Sequence, residues 1–241
     1  MLGLYTFSEL PPDVAEWLED EFFRVADDGG AVVLKRLVAC DIEFDGPTKT
    51  LWSRFLLTLL HRNPEGIQRI TRRIANDFPE EFERIREQYD SIRGETALPS
   101  FDEIRAKLSR DAMARVQIRV LQNVMDSELV GTALNEMYWG VFALRRPRHS
   151  LLTSDRPIVI SNGLAKADAH LVMPLSPIRI FVAAKSKEVI QQLERMRDEI
   201  AATLNDRIVR QARNFVYGAD TSQLRFIANR LGEKRKWSSW E

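Results

Sequence analysis

The sequence contains a single cysteine, Cys40, among its 241 residues. A lone cysteine cannot form a disulfide within the chain, which favours a reducing, cytoplasmic location. Long hydrophobic runs are missing as well: the longest, Phe55 to Leu60, is interrupted by Thr58 and is far shorter than the ~20 residues that a membrane span needs. We therefore expect no membrane-spanning helix and no membrane partner.

Neither sign of charge is in excess, because 35 Lys and Arg residues balance 35 Asp and Glu residues. This balance disfavours a strongly basic nucleic-acid binder. The charges are nevertheless uneven along the chain, since residues 1–30 are mainly acidic and residues 205–241 mainly basic. The basic end either pairs with the acidic end at the surface or faces an anion.

The short motifs of several enzyme classes are also absent from the sequence. There is no Walker A loop, G-x-G-x-x-G, H-E-x-x-H, C-x-x-C or G-x-S-x-G. The P-loop, dinucleotide-binding, zincin, structural-zinc and lipase-type interpretations therefore lose their usual support. His61, His149 and His170 are isolated from one another in sequence, so we predict no metal site and no cofactor.

Hydrophobic periodicity predicts a first half that is nearly all helix. Residues 11–30 predict an amphipathic helix that ends at the Asp-Asp-Gly-Gly segment, residues 27–30. The stretch TKTLWSRFLLTLLHR, starting at Thr48, has apolar residues on more than one face and predicts a buried central helix. Pro79 is expected to kink or split the helix that follows.

The second half predicts a small sheet followed by more helix. Aromatic and β-branched segments between about residues 138 and 184 are joined by connections too short for helical crossovers, which predicts a mainly antiparallel sheet. Residues 186–217 predict one long C-terminal helix. The expected fold class is α+β, with a single domain over residues 1–232 and a basic, aromatic tail over residues 233–241.

The segment LLTSDRPIVI places polar residues 153–156 inside an apolar strand, just before Pro157. The proline requires that this strand lie at an edge, restart or bulge. Ser154 and Asp155 either bond nearby backbone N–H groups in a turn, or Asp155 projects into a cleft as a ligand or general base. His149 is close enough in sequence to suggest a Ser/His/Asp set, so Asp155, Ser154 and His149 are the catalytic candidates.

Two further polar residues stand at positions where burial is expected. Asn205 lies at the rim of the apolar stripe of its helix, where an amide needs hydrogen-bond partners such as the sheet or the corner at residues 153–155. Arg62 follows the central helix beside Asn63 and Pro64, where it either complements the helix C-terminus or reaches an anion.

The order LWSRFLLTLLHRNPEG, TSDRPIVI, MPLSP and LNDRIVRQARNFVYG resembles the bacterial family catalogued as domain of unknown function 4238, over about residues 14–218. The resemblance implies membership and no established activity. The recurrent positions of that family correspond here to Arg62, Pro64, Ser154, Asp155, Pro157, Pro174, Leu175, Pro177, Asn205 and Tyr217.

Three functions remain open. The first is a polar pocket in which Arg62, Asp155, Asn205 and Tyr217 bind a small anionic or polar ligand. The second is a hydrolase or nuclease that uses Asp155. The third is a protein-interaction module of a defence or toxin-type system, and exposed apolar residues around Leu2 to Phe7 would favour a homo-oligomer.

Overall fold

The computed structural model describes residues 23–40, 43–62, 64–94, 98–107, 119, 122–123, 126–145, 147–161 and 166–231. The chain divides into two compact units, Met1–Arg24 with His61–Ser127 and Val25–Leu60 with Glu128–Glu241. Each unit is described by itself, and a single domain over residues 1–232 stays a prediction. The expectations for Leu2 to Phe7 and for the tail at residues 233–241 lie outside the described residues.

Eight helices and six strands are assigned in the described part of the chain. The helices are α1 Arg24–Ala39, α2 Gly46–His61, α3 Pro64–Arg93, α4 Phe101–Lys107, α5 Glu128–Asn135, α6 Lys187–Arg195, α7 Arg197–Gln211 and α8 Leu224–Ala228. The strands are β1 Tyr138–Ala143, β2 Thr153–Ser154, β3 Val159–Ser161, β4 His170–Ser176, β5 Arg179–Ala184 and β6 Val216–Tyr217. This arrangement confirms the α+β class. None of the helices in the described ranges is long and apolar enough to cross a membrane.

The main sheet has the strand order β1-β5-β4-β3, and every neighbouring pair in it is antiparallel. It begins at Tyr138 and ends at Ala184, which confirms the predicted sheet and its limits. A separate antiparallel ribbon joins β2 to β6. Short connections force this topology, because a parallel pairing would need a long crossover between strands.

Residues on the two faces of the central strand β5 belong to two different cores. On one face, Phe181 meets Trp52 of α2 edge to face, with ring centroids 5.6 Å apart. On the other face, Ile180 packs in a core to which α7 contributes Leu204 and Ile208. Trp52 is completely buried, so the prediction that α2 is a central core helix is confirmed.

The predicted helix end at residues 27–30 is wrong, because α1 continues through both glycines to Ala39. Both glycines lie where α2 packs closely against α1. A Cβ atom on Gly30 would lie 2.4 Å from the ring of Phe55 on α2, and one on Gly29 would lie 3.0 Å from Leu51. The glycines therefore permit a close helix–helix approach that any side chain would obstruct.

The predicted long C-terminal helix is also wrong, since two helices replace it. They meet at Met196, whose φ of −90° and ψ of 10° depart from helical geometry. At Ala212 the backbone turns to φ −59° and ψ 143°, and the chain then pairs with β2 as strand β6. The bonds that Asp155 makes to this segment, described below, supply the physical reason for the early end.

In the other unit, α3 runs for 30 residues and is not split at Pro79. One proline removes a single backbone hydrogen bond, which a long helix can tolerate. The side chain of Tyr89 ties this helix to the start of α4, because its hydroxyl donates to the carbonyl of Pro99 at 2.9 Å. Ser100 and Glu103 then cap α4 reciprocally, each accepting the backbone N–H of the other.

Candidate functional site

Asn205 is a buried residue of α7 that holds the loop before β2. Its Oδ1 accepts the backbone N–H of Leu152 at 2.9 Å, and its Nδ2 donates to the carbonyl of Ser150 at 2.8 Å and to Oε1 of Gln223 at 3.0 Å. Gln223 also donates to Ser150 at 2.8 Å. The amide thus has the structural bonds expected of it, and a contact with a ligand stays a prediction.

Asp155 closes the β2–β6 ribbon. Its Oδ1 accepts the backbone N–H of Arg213 at 3.0 Å, and its Oδ2 accepts that of Asn214 at 2.8 Å. Its own backbone N–H donates to the carbonyl of Phe215 at 3.1 Å. Both carboxylate oxygens are therefore used to order the chain that leaves α7, and these amides are 58 and 59 residues away, not in the local turn expected for this corner.

Ser154 is buried and its Oγ accepts the backbone N–H of Arg156 at 3.1 Å. His149 is exposed on the preceding loop. Among the described residues, no hydrogen bond joins Ser154, His149 and Asp155, so the geometry of a catalytic triad is not assembled. Their catalytic role stays a prediction without geometric support.

Two more α7 side chains hold the same stretch of chain, residues 145–158. Asp198 Oδ1 accepts the backbone N–H of Arg145 at 2.7 Å. Gln211 Nε2 donates to the carbonyl oxygens of Arg156 and Ile158. Asp198 and Asn205 are seven residues apart, about two helical turns, and therefore share one stripe of α7, whereas Gln211 lies near the C-terminal end of the helix on a neighbouring stripe. The stretch is fixed along the whole length of α7.

Tyr217 extends the ribbon rather than lining a closed pocket. It pairs with Thr153, and its ring is 48% exposed. The ring of Phe215, 47% exposed, stacks near it with centroids 6.2 Å apart and planes inclined by 20°. Arg62, the remaining ligand candidate, is half-buried and belongs to the other unit. That all four candidates share one ligand stays a prediction.

Asp206 fastens the segment containing α8 to α7. Its two oxygens each accept the Nε–H of an arginine at 2.8 Å, one from Arg210 and one from Arg230. Burial raises the pKa of Asp206, but the hydrogen bonds from the two arginines outweigh this effect and hold that pKa below its ordinary value. Arg230 also lies over the ring of Phe226, 4.0 Å from its centroid. This cluster stabilises the fold.

Two stretches of the sequence that contain most of the main sheet have basic but no acidic residues. No Asp or Glu occurs in residues 137–154 or 169–187, which include β1, β4, β5 and the loop after β1. The basic residues of these two stretches are Arg145, Arg146, Arg148, Arg179, Lys185 and Lys187. Arg145 and Arg179 lie at one end of the sheet, where Ala143 pairs with Arg179, whereas Lys185 and Lys187 follow β5 at the opposite end.

Arg179 opens β5 at this end and is half-buried. Its Nε is fully shielded from solvent and has no hydrogen-bond partner. In the described part of the chain, no ion pair or hydrogen bond engages its guanidinium. Buried polar atoms normally have a hydrogen-bond partner, so this nitrogen is an exception in the sheet.

A β-bulge places Ser176 opposite Arg179. The register between β4 and β5 shifts between Pro174 and Ser176, so that Ser176 stands opposite Arg179 where a regular strand would place Leu175. Directly opposed residues share a face of the sheet, so Ser176 and Arg179 are neighbours in the register. The partner of Arg179 on β1 is Ala143, whose small side chain leaves the other flank open.

Arg156 lies at the same end of the sheet, beyond β4. β3 begins at Val159, which pairs with Val172 of β4, and Arg156 lies three residues earlier, in a bend that precedes the strand. Gln211 Nε2 donates to the carbonyl oxygens of Arg156 and Ile158 and holds this segment.

Arg179 lies two residues before Phe181 on β5 and therefore on the same face of the sheet. We call Arg179, Ser176 and Arg156 the sheet-end site. Sequence reasoning missed Arg179 and Ser176, although the lack of acidic residues in two stretches was visible.

The described residues contain no group of three or more His, Cys, Asp or Glu that could hold a metal ion. The donors of the sheet-end site are guanidinium and hydroxyl groups, which suit an anion rather than a metal.

A family model described as a protein of unknown function, DUF4238, matches residues 3–222 and confirms the resemblance. No curated protein matches the chain, and no solved structure does.

Proposed function

Since the chain belongs to the DUF4238 family of proteins of unknown function, we propose its function from the site itself: it binds a small anionic ligand at the sheet-end site. The observation that carries the proposal is the guanidinium of Arg179, which is half-buried and has no acidic partner within the described residues. Guanidinium groups present a fork of donors that matches carboxylate and phosphate oxygens.

The surroundings of Arg179 strengthen its attraction for an anion. Charges that are partly buried are screened less by salt than exposed ones. Ser176 adds a neutral donor, because its Oγ accepts a 3.4 Å bond from the N–H of Ile178 and its own proton has no acceptor among the described residues. An anion beside Arg179 would therefore gain a charge-assisted bond and a hydroxyl bond together.

The polar residues predicted from sequence support this site indirectly. Asp155 and Asn205 hold the stretch of chain that carries Arg156, so they position part of the site without touching a ligand. Arg62 and Tyr217 stay candidates for further contacts. A cytoplasmic location and a homo-oligomer stay predictions.

The hydrolase or nuclease alternative has weaker support. It needs Asp155 as a base or ligand, and both oxygens of that carboxylate bond backbone amides. The interaction-module alternative has the exposed rings of Phe215 and Tyr217 in its favour. Two half-exposed rings offer roughly 200 Å², whereas a standard interface buries ~800 Å² on each partner. We therefore rank both alternatives below anion binding.

The experiment that tests the proposal is a calorimetric titration of sodium sulfate into the wild-type protein and into Arg179→Gln at constant ionic strength. We expect wild-type binding and at least a tenfold loss in the variant. The matched control is Arg195→Gln, which removes an exposed arginine from α6 and should bind as the wild type does. Equal sulfate affinity in wild type and Arg179→Gln would contradict the proposal.

A further inference from the structure

We infer that the loop between β1 and β2 docks an acidic peptide segment of a partner protein. We call residues 145–150 the arginine loop, because Arg145, Arg146 and Arg148 lie within it. The inference goes beyond the proposed function, since it depends neither on Arg179 nor on the binding of a small anion.

Both ends of the arginine loop are fixed to one turn of the main sheet. The backbone N–H of Leu144 donates to the carbonyl of Ile178 at 2.8 Å. The backbone N–H of Leu151 donates to the carbonyl of the preceding residue of that turn, Pro177, also at 2.8 Å. Both leucines are buried in the same core. The segment therefore departs from and returns to the turn between β4 and β5, as a compact surface loop whose ends are close together.

Side chains from α7 and from the residue before α8 also hold the loop. Asp198 Oδ1 accepts the backbone N–H of Arg145 at 2.7 Å. At the other end, the carbonyl of Ser150 accepts bonds of 2.8 Å from Asn205 and from Gln223. A loop held at both ends loses little conformational freedom when a partner binds, which favours affinity.

The basic side chains of the loop are exposed and unpaired. Arg145, Arg148 and His149 are all exposed, and within the described residues none of them makes an ion pair or a side-chain hydrogen bond. The acid that bonds to the loop in this part of the chain is Asp198, through the backbone of Arg145. Residues 137–154 contain no Asp or Glu. The loop therefore presents a positive surface that complements an acidic segment.

An exposed apolar side chain at the base of the loop favours a peptide over a nucleic acid as the partner. Ile178 is 46% exposed in the turn to which both ends of the loop are bonded. A phosphate backbone gains little from an exposed isoleucine, whereas a peptide can cover it with an apolar side chain. The neutral overall charge also disfavours a binder that depends on many phosphate contacts. The expected partner is therefore an acidic segment with an apolar residue among its acids.

The test measures fluorescence anisotropy with a fluorescein-labelled peptide of glutamates around one central leucine. A matched peptide has glutamine in place of the leucine, and a labelled oligo-dT strand represents nucleic acid. We expect the wild-type protein to bind the leucine peptide about threefold more tightly than the glutamine peptide, and more tightly than oligo-dT. Ile178→Ser should remove the difference between the two peptides.

Charge reversal tests the contribution of the loop itself. Arg148→Glu should weaken binding of the leucine peptide about tenfold, with a larger effect at low salt. The matched control is Arg195→Glu, which makes the same charge change at an exposed arginine of α6 and should alter the affinity by less than about twofold. Arg148→Lys keeps the positive charge and should bind nearly as the wild type does.

Three results would overturn the inference. They are an unchanged affinity in Arg148→Glu, equal wild-type affinities for the leucine and glutamine peptides, and tighter binding of oligo-dT than of the leucine peptide. None of them alters the outcome of the sulfate titration of Arg179→Gln, so this inference and the proposed function fail separately.

Discussion

Replacing Asn205 with alanine should destabilise the protein strongly, because this buried amide makes three hydrogen bonds. The change leaves the backbone N–H of Leu152 without its acceptor and Oε1 of Gln223 without its donor, while Ser150 keeps the bond from Gln223. Leaving a buried polar group unsatisfied costs about 1–3 kcal/mol. With two such groups in one network, we expect the free energy of unfolding to fall by about 3 kcal/mol.

Urea unfolding followed by tryptophan fluorescence measures this change, since Trp52 and Trp139 lie in the same unit as Asn205. The midpoint should fall while the slope with urea stays constant. In thermal unfolding, the same loss corresponds to a decrease in Tm of about 9 °C for a chain of this length. Asn205→Asp should be as severe, because it points an oxygen instead of an N–H at two acceptors.

The control is Thr203→Ala, an exposed position on the same helix, which should change the stability by less than about 0.5 kcal/mol. A loss of under about 0.5 kcal/mol for Asn205→Ala would refute the conclusion that this network anchors the loop before β2.

Three further predictions concern the other anchors. Asp155→Ala should cost about 2 kcal/mol in urea unfolding, because two backbone amides lose a charged acceptor, and an unchanged midpoint would contradict this role. Gly30→Ala should cost about 1–3 kcal/mol, since the new methyl group overlaps the Phe55 ring, whereas Gly46→Ala, with nothing within 4 Å, should be tolerated. Asp206 has a lowered pKa, so its stabilising effect is present above about pH 4 and is lost as the pH falls through the folded-state pKa. The stability difference between wild type and Asp206→Asn should therefore shrink on acidification. A difference that grew instead would mean that folding raises the pKa of Asp206, which would contradict this account.

The main sheet and the central helix α2 were predictable because local signals determine them. Short connections between strand-forming segments allow only antiparallel pairing, and this argument placed the sheet between residues 138 and 184. The apolar residues around Trp52 cover more than one face of α2, which is possible only for a buried helix.

The ends of the other helices depended on distant contacts. Gly29 and Gly30 look locally like a helix terminator, but their lack of side chains serves the packing of α1 against α2. The end of α7 is set by Asp155, a residue more than 50 positions away in sequence that binds the amides of Arg213 and Asn214. Local periodicity contains no information about either contact.

The candidate site was only partly predictable for a similar reason. Sequence reasoning found the polar corner at Asp155 and the amide of Asn205, which the structure uses to hold a loop. It could not find the pairing of Arg179 with Ser176, because that pairing depends on a one-residue bulge in the register.

The most direct test of the central claim is a crystal structure of the protein with selenate, located by the anomalous signal of selenium. We predict a selenate ion with oxygens about 2.7–2.9 Å from the guanidinium of Arg179 and close to Oγ of Ser176. Selenate bound at other arginines, with the sheet-end site empty, would contradict the account.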